Sequence, residues 1–349
     1  MNQTLTFEEG VRQRPGMCLG SNDGKGIVNL ICGLIKDCID ICKTDKILFL
    51  VSIHKDNVFS IEISSKMDLT PYVQHFTTDI KEFDNYHTKV LKVVASNLEI
   101  SNSDNRLFIL NGQLQSNSVL FLNAVHLALK LNFSLDPSVF KNTNVDYLCL
   151  SEKLLLIALL NRETEIVVKD TRKKHLNQNY YYFTQGVFYL FDRIKSEVLG
   201  EPEFEILYDD KIIDNKYQIA LAYRTDWDHE PIITSFANDV HTTNGGSLVA
   251  GIMDGLVLAL NKYVRENNLS TYNIKRKKLL NGLIIVCSVR GKDLNYDGSF
   301  KEMLMTIEVK SQVKKLISKL VFNYINENKD KAYKFICRFD ETQLSSKMY

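Results

Sequence analysis

Apolar side chains recur every three or four positions from Gly26 to Ile41, and this spacing predicts a helix with one buried stripe. The next stretch, KILFLVSIHKDNVFSIEISS, holds two β-rich runs on either side of residues 55–57, which predicts a hairpin. A helix followed by a hairpin favours an α+β sandwich. Residues 67–112 are polar and irregular, and within them the pattern predicts one helix over residues 81–97.

The middle of the chain alternates between strongly apolar and β-rich runs. SVLFLNAVHLALKLNFSL predicts a helix running into a strand, and DYLCLSEKLLLIALLN predicts a second long helix. Two strands are predicted after it, over residues 165–169 and 180–184. The order of elements therefore remains that of a mixed α and β domain.

A glycine and a proline stand among charged residues in EVLGEPE, and a domain boundary is predicted there, giving domains at 1–199 and 200–349. The second half begins with strands in FEILYD, YQIALAYR and IITSFAN. A turn at residues 244–246 leads into a helix predicted from Ser247, LIIVCSV predicts a buried strand, and residues 306–328 predict a C-terminal helix.

Composition describes an ordinary globular protein, with 45% apolar and 24% charged residues and a formal net charge of +1 over 349 residues. This charge provides no global excess of cations for binding a nucleic acid backbone. Two basic clusters, residues 169–174 and 275–278, are interpreted as solvated surfaces, with local DNA contact left open. No leader and no membrane-length apolar run is recognised, so a cytoplasmic, non-membrane protein is expected.

Seven cysteines, an odd number without a CxxC pair, fit buried thiols in a reducing compartment. Cys38 and Cys42 would share one helix face, but neither a histidine nor a further cysteine nearby completes a zinc site. No bound metal is therefore expected.

Six short blocks in order carry a family resemblance: VRQRPGMCLG, LNRETEIVVKD, YYYFTQGVFYLF, SFANDVHTTNGGSLVAG, NGLIIVCSV and SFKEMLMTIEV. Together they resemble the ATPase and transducer region of the B subunits of DNA gyrase and topoisomerase IV. The resemblance implies a layered α/β sandwich of the GHKL (Bergerat-type) superfamily. It also implies a transducer domain of the ribosomal-protein-like fold with a left-handed crossover.

The resemblance places the catalytic glutamate and the Mg²⁺-binding asparagine of the family on the first helix. Gly33 stands at the glutamate position and Asp37 at the asparagine position, so the general base is missing. Asp37 keeps a carboxylate that suits Mg²⁺, although a lone acid on a helix is more often solvated.

The other family positions are mostly substituted. Ser64 stands for the adenine-binding aspartate and Leu129 for a base-binding threonine. Gly112 survives from the phosphate-binding glycine loop, where Gln113, Ser116 and Ser118 replace glycines. Lys301 matches the transducer lysine that meets the γ-phosphate, and without a triphosphate it is expected to be a surface or ion-paired lysine.

These substitutions predict a degenerate topoisomerase B-subunit-like protein that does not hydrolyse ATP and acts as a binding or regulatory scaffold. No cofactor and no cleavage domain are expected, and the partners implied are a second copy or a gyrase-type B subunit. The alternative is an ATP- and Mg²⁺-binding subunit of a DNA topoisomerase that works with a separate cleavage subunit. Trp227 and seven histidines, including His126, suggest no further chemistry.

Overall fold

The computed structural model describes residues 5–42, 46–77, 86–116, 127–173, 176–198, 202, 204–225, 229–269, 273–298, 301–329 and 335–339. The chain divides into two compact units, Met1–Thr184 and Gln185–Tyr349. Each unit has its own cluster of buried apolar side chains. The predicted α+β class is confirmed, because both units combine helices with a sheet.

The described part of the first unit begins with helices, continues with hairpins, and ends with a helix and two strands. The helices are α1 (Phe7–Gln13), α2 (Pro15–Leu19), α3 (Gly24–Cys42), α4 (Thr70–Thr77), α5 (Tyr86–Val94) and α6 (Tyr147–Leu160). The strands are β1 (Ile47–Ile53), β2 (Val58–Ser65), β3 (Ala95–Ser101), β4 (Arg106–Leu110), β5 (Gln113–Leu114), β6 (Ala128–Leu135), β7 (Thr164–Asp170) and β8 (Asn177–Tyr181).

These strands form one sheet in the order β5-β4-β3-β6-β2-β1-β7-β8, in which β1 and β7 run parallel and the other neighbours antiparallel. One face carries the core: Ile166, Phe49, Ile63 and Leu129 lie in register across four strands and are buried. The other face is mostly polar, and it carries a Glu62–Lys130 pair of 2.8 Å. The alternation along each strand therefore fixes which side faces the helices.

The sequence predictions for the first helix, the first hairpin and the helix at α6 are confirmed. The prediction of a largely irregular segment over 67–112 is wrong, because α4, β3 and β4 lie within it. The helix predicted to continue to residue 97 ends at Val94. Leu98 and Ile100 are buried and alternate with polar neighbours, which is the two-residue period of a strand. The helix predicted before β6 falls outside the described residues.

The second unit begins with α7 (Val187–Glu197), which lies before the boundary predicted at 199/200. This helix packs against strands of the second unit, so the division falls between Thr184 and Gln185. The other elements are β9 (Phe204–Ile212), β10 (Asn215–Tyr223), β11 (Ile232–Ala237), β12 (Val240–His241), α8 (Ser247–Glu266), β13 (Leu283–Arg290), β14 (Tyr296–Asp297), β15 (Met303–Leu304) and α9 (Ile307–Glu327).

The main sheet of this unit has the order β12-β11-β13-β10-β9 and is covered on both faces. Tyr217 of β10 donates to Gln312 of α9 at 2.6 Å, whereas the neighbouring Gln218 donates to the backbone oxygen of Gln185, just before α7. Because successive strand residues point to opposite faces, α7 and α9 lie on different sides of the sheet. β11 pairs parallel with β13, and α8 lies in the connection between them.

Helices α8 and α9 pack closely through two glycines. A Cβ on Gly251 would lie 2.8 Å from the backbone oxygen of Lys310, and one on Gly255 would lie 2.9 Å from that of Lys314. By length and composition α8 could cross a membrane, but 56% of its most apolar window is buried within the unit. Core helices of globular proteins have this character, and α8 is accounted for by its packing against α9 and β13.

Candidate functional site

The two site positions predicted on the first helix both face α5. Gly33 and Asp37 are four residues apart on α3, so their positions lie one turn apart on the same face. His87 and Thr88, in the first turn of α5, lie against this face. The sequence reasoning did not include His87, because nothing in its local pattern distinguishes it from the other histidines.

Asp37 is held by three hydrogen bonds from α5. Its Oδ2 accepts from the backbone amides of His87 at 3.0 Å and Thr88 at 3.3 Å, and its Oδ1 lies 3.1 Å from Nδ1 of His87. The Asp37 side chain is 13% exposed and that of His87 is 31% exposed. The expectation that Asp37 would be solvated is therefore wrong, since its carboxylate caps a neighbouring helix.

Gly33 leaves the space that the imidazole of His87 fills. A Cβ built on Gly33 would lie 2.5 Å from Nε2 of His87 and closer still to Cγ and Cδ2. Atoms in van der Waals contact are about 3.5–4.0 Å apart, so no side chain fits at position 33 while the ring stays in place. The space beside Gly33 is thus occupied by a side chain from another helix.

Aromatic packing restrains the His87 ring from the side of α1. The rings of Tyr86 and His87 meet edge to face with centroids 5.6 Å apart, and Phe7 meets Tyr86 in the same way at 6.0 Å. The pKa of the Tyr86 hydroxyl is raised, mainly by burial and to a smaller extent by a hydrogen bond with Cys18. At the other end of α5, Arg12 donates to the backbone oxygen of Val93 at 2.9 Å, so α1 also restrains this helix.

Leu129 lies on the core face of the sheet, but Ser64 does not. Leu129 is 3% exposed and pairs with Ile63, which is also buried. Ser64 pairs with Ala128 and is exposed on the opposite face, away from the core that α3 joins. The assignment of Ser64 to the site is therefore wrong, and Ile63 is the β2 residue beside Leu129. A shift of one position in an ungapped alignment exchanges the two faces of a strand.

Gly112 serves a hairpin turn. Asn111 and Gly112 form the two-residue loop between β4 and β5, with φ of 47° and 83°. Two successive positive φ angles are the requirement of a type I′ turn, for which Asn-Gly is the favoured pair. This turn accounts for Gly112, and its assignment to a phosphate-binding loop stays a prediction. Ser118, the last substituted position of the predicted phosphate loop, lies outside the described residues.

Lys301 lies in the second unit and is exposed. Its Nζ lies 5.4 Å from the centroid of the Tyr296 ring, a distance typical of a cation–π contact. Its backbone φ is 55°, and the residue lies in the short connection that leads into β15. Ser299 and Phe300, its neighbours in the family triplet, lie outside the described residues.

The arginines of the two predicted basic clusters differ in the contacts that they make with the rest of their unit. Arg172 forms a bidentate pair with the buried carboxylate of Asp170 at 2.9 and 2.8 Å, which lowers the pKa of Asp170. It therefore supports the fold of the first unit. In the second cluster Arg276 is exposed and donates to the backbone oxygen of Ala250 at 3.1 Å. Lys174, His126 and Trp227 lie outside the described residues.

A nucleotide bound with Mg²⁺ does not fit the α3 positions as they stand. Both carboxylate oxygens of Asp37 already accept hydrogen bonds from α5, and position 33 has neither a carboxylate nor room for one. Among the described residues, no group of three or more His, Cys, Asp or Glu side chains is arranged to hold a metal ion.

Comparison with known proteins identifies the family. The sequence profile described as DNA gyrase B matches residues 169–346, just over half of the chain. The chain belongs to the DNA gyrase B family. The gyrase B subunit of Clostridium acetobutylicum is 27% identical over 93% of this chain and 55% of its own length. The topoisomerase 4 B subunit of Mycoplasma capricolum is 26% identical over 96% of this chain and 56% of its own length.

This member of the DNA gyrase B family spans about half the length of the curated relatives it matches. Solved structures agree in fold. The gyrase B subunit of Myxococcus xanthus superposes with a TM-score of 0.75 at 18% identity, over 96% of this chain and 99% of that one. The 43K ATPase domain of Thermus thermophilus gyrase B, in complex with an aminocoumarin, gives 0.74 at 18% identity, over 98% and 96%. The fold of the gyrase B ATPase domain is thus present in this chain.

Proposed function

We propose that this chain is a DNA gyrase B family member that does not hydrolyse ATP and acts as a binding or regulatory scaffold. The observation that carries the proposal is Gly33, which offers no carboxylate where the family resemblance places the general base. Attack of water on a γ-phosphate needs a group that orients or deprotonates the water. Loss of a general base alone slows a reaction by about 10²–10⁴-fold.

The surroundings of Gly33 support the same proposal. The imidazole of His87 fills the volume beside Gly33, so a nearby water has no carboxylate partner on α3. Asp37 is engaged with α5 and would have to release three hydrogen bonds to become a Mg²⁺ ligand. Activation of the attacking water beside Gly33 and binding of Mg²⁺ by Asp37 are therefore both disfavoured.

The partners proposed are a second copy of the chain or a gyrase-type B subunit, in the cytoplasm. DNA contact is a further part of the proposal, and α9 supplies an observation in its favour. Four lysines of this helix are exposed within ten residues: Lys310, Lys314, Lys315 and Lys319. Exposed cations on one element suit phosphate contacts that weaken with salt.

The alternative proposal is an ATP-binding subunit of a DNA topoisomerase that acts with a separate cleavage subunit. Membership of the family favours it, as does the likeness to a protein described as the topoisomerase IV ATP-binding domain of Francisella tularensis. That structure gives a TM-score of 0.75 at 20% identity, over 96% of each chain. Under this alternative His87 would have to leave its place beside Gly33 when the nucleotide arrives.

Isothermal titration of the full chain with ATP and Mg²⁺ separates the two proposals. The scaffold proposal predicts no saturable heat, and a micromolar affinity accompanied by phosphate release would contradict it. DNA contact is tested separately by titrating duplex DNA at two salt concentrations. An affinity that does not change with salt would contradict a contact made through the α9 lysines.

A further inference from the structure

The amino-terminal end of α5 is already bound to an anion from within the chain. Helix termini leave backbone amides without intrahelical partners, and these amides together with the helix dipole attract negative charge. In α5 the amides of His87 and Thr88 donate to Oδ2 of Asp37, a residue of another helix. The carboxylate therefore occupies the place that an external phosphate oxygen would take at this helix end.

His87 completes the contact with its side chain. Its Nδ1 lies 3.1 Å from Oδ1 of Asp37, so the second carboxylate oxygen is engaged as well. The same ring lies in the space left by Gly33, so the missing side chain at position 33 and the filled helix end are parts of one arrangement. Aromatic contact with Tyr86 restrains the ring further.

We propose that Asp37 and His87 form an internal latch that binds α5 to α3 and bars phosphate groups from the amino-terminal end of α5. This inference rests on the proposed function and deepens it by stating what holds the site closed. An incoming phosphate would meet the negative charge of Asp37 at short range and would compete for the same two amides. The first unit would thus hold α5 in place without any nucleotide.

Inorganic pyrophosphate is a suitable probe because it carries the charge of a nucleotide phosphate chain without its base. The full-length wild type is titrated in parallel with Asp37→Ala and with Asp40→Ala, a control at an exposed position of the same helix. The latch predicts that Asp37→Ala binds pyrophosphate at least about tenfold more tightly than the wild type, because it removes the competing carboxylate. Asp40→Ala should behave like the wild type.

A second measurement needs no variant and covers the case in which Asp37→Ala fails to fold. Hydrogen exchange of the His87 and Thr88 amides is followed in the wild type with and without pyrophosphate. The latch predicts that both amides are protected in the free protein and that pyrophosphate leaves their exchange unchanged. Exchange as fast as in an exposed segment, or new protection on adding pyrophosphate, would overturn the latch.

The two proposals fail in different ways. Phosphate release from ATP by the wild type would overturn the proposed function. Absence of phosphate release, together with amides of His87 and Thr88 that respond to pyrophosphate, would leave the proposed function standing and overturn the latch. Equal pyrophosphate affinity in folded Asp37→Ala and in the wild type would likewise overturn the latch and leave the proposed function standing.

Discussion

Gly33→Ala is the smallest change that tests whether the His87 ring fills the space beside Gly33. The added Cβ would lie 2.5 Å from Nε2 of His87 and closer still to Cγ and Cδ2, whereas unstrained contacts are about 3.5–4.0 Å, so the ring must retreat by more than about 1 Å. Overpacking of this kind costs about 1–3 kcal/mol, and displacement of the ring weakens its hydrogen bond to Asp37, worth about 1 kcal/mol. Alanine in place of glycine stabilises a helix by about 1 kcal/mol, which offsets part of this cost.

The expected sum is a loss of about 1–3 kcal/mol in the free energy of unfolding of the first unit. The matched background is His87→Ala, in which the ring is absent. There Gly33→Ala should be neutral or should stabilise by up to about 1 kcal/mol, since only the helix propensity remains. The double-mutant cycle therefore predicts a coupling energy of about 1–4 kcal/mol between positions 33 and 87.

Urea denaturation followed by far-UV circular dichroism measures these differences. Hydrogen exchange of the β13 amides reports on the second unit separately and serves as an internal control. If Gly33→Ala has the same effect with and without His87, the arrangement at the α3 site is refuted. A change confined to the β13 amides would refute it equally.

Three further predictions concern the packing within each of the two units. Asp170→Asn should cost about 1.5–3 kcal/mol at neutral pH, because it breaks the bidentate pair with Arg172. Since that pair lowers the pKa of Asp170, its stabilisation is present above the unfolded pKa of about 3.9 and is lost as the pH falls through the folded pKa. Urea titrations should therefore converge for variant and wild type in acid. Gly255→Ala should destabilise the second unit by about 1–3 kcal/mol, because its Cβ would lie 2.8 Å from that of Ile317, and the protection of the β13 amides from hydrogen exchange should fall accordingly. Arg338→Ala should speed hydrogen exchange in residues 335–339, because the guanidinium donates to two backbone carbonyls at 3.0 and 3.2 Å. Unchanged exchange there would contradict that role.

The sequence predicted the elements whose hydrophobic period is strong. The helix at α3 and the hairpin of β1 and β2 have clear patterns, and both are present. The same reasoning missed β3, because its short alternation follows directly after a helix with no turn residue between them. Turn residues mark where helices and strands end in a sequence. Where they are absent, the hydrophobic period alone does not show where one element ends and the next begins.

The site was less predictable than the fold. The resemblance predicts that Gly33 stands where the family has its general base, but the filling of the space beside Gly33 by His87 depends on a contact between helices far apart in sequence. Ser64 shows the other difficulty, because an error of one residue along a strand moves a side chain to the opposite face. Gly112 was retained for a reason of backbone geometry that a comparison of residue types does not reveal.

Phosphate release from ATP by the full-length chain, in the presence of Mg²⁺ and duplex DNA, tests the central claim most directly. The proposal predicts a rate equal to that of a buffer blank at every ATP concentration, because Gly33 provides no base and Asp37 is bound to α5. A rate that saturates with ATP concentration and is lost on Asp37→Ala would contradict it.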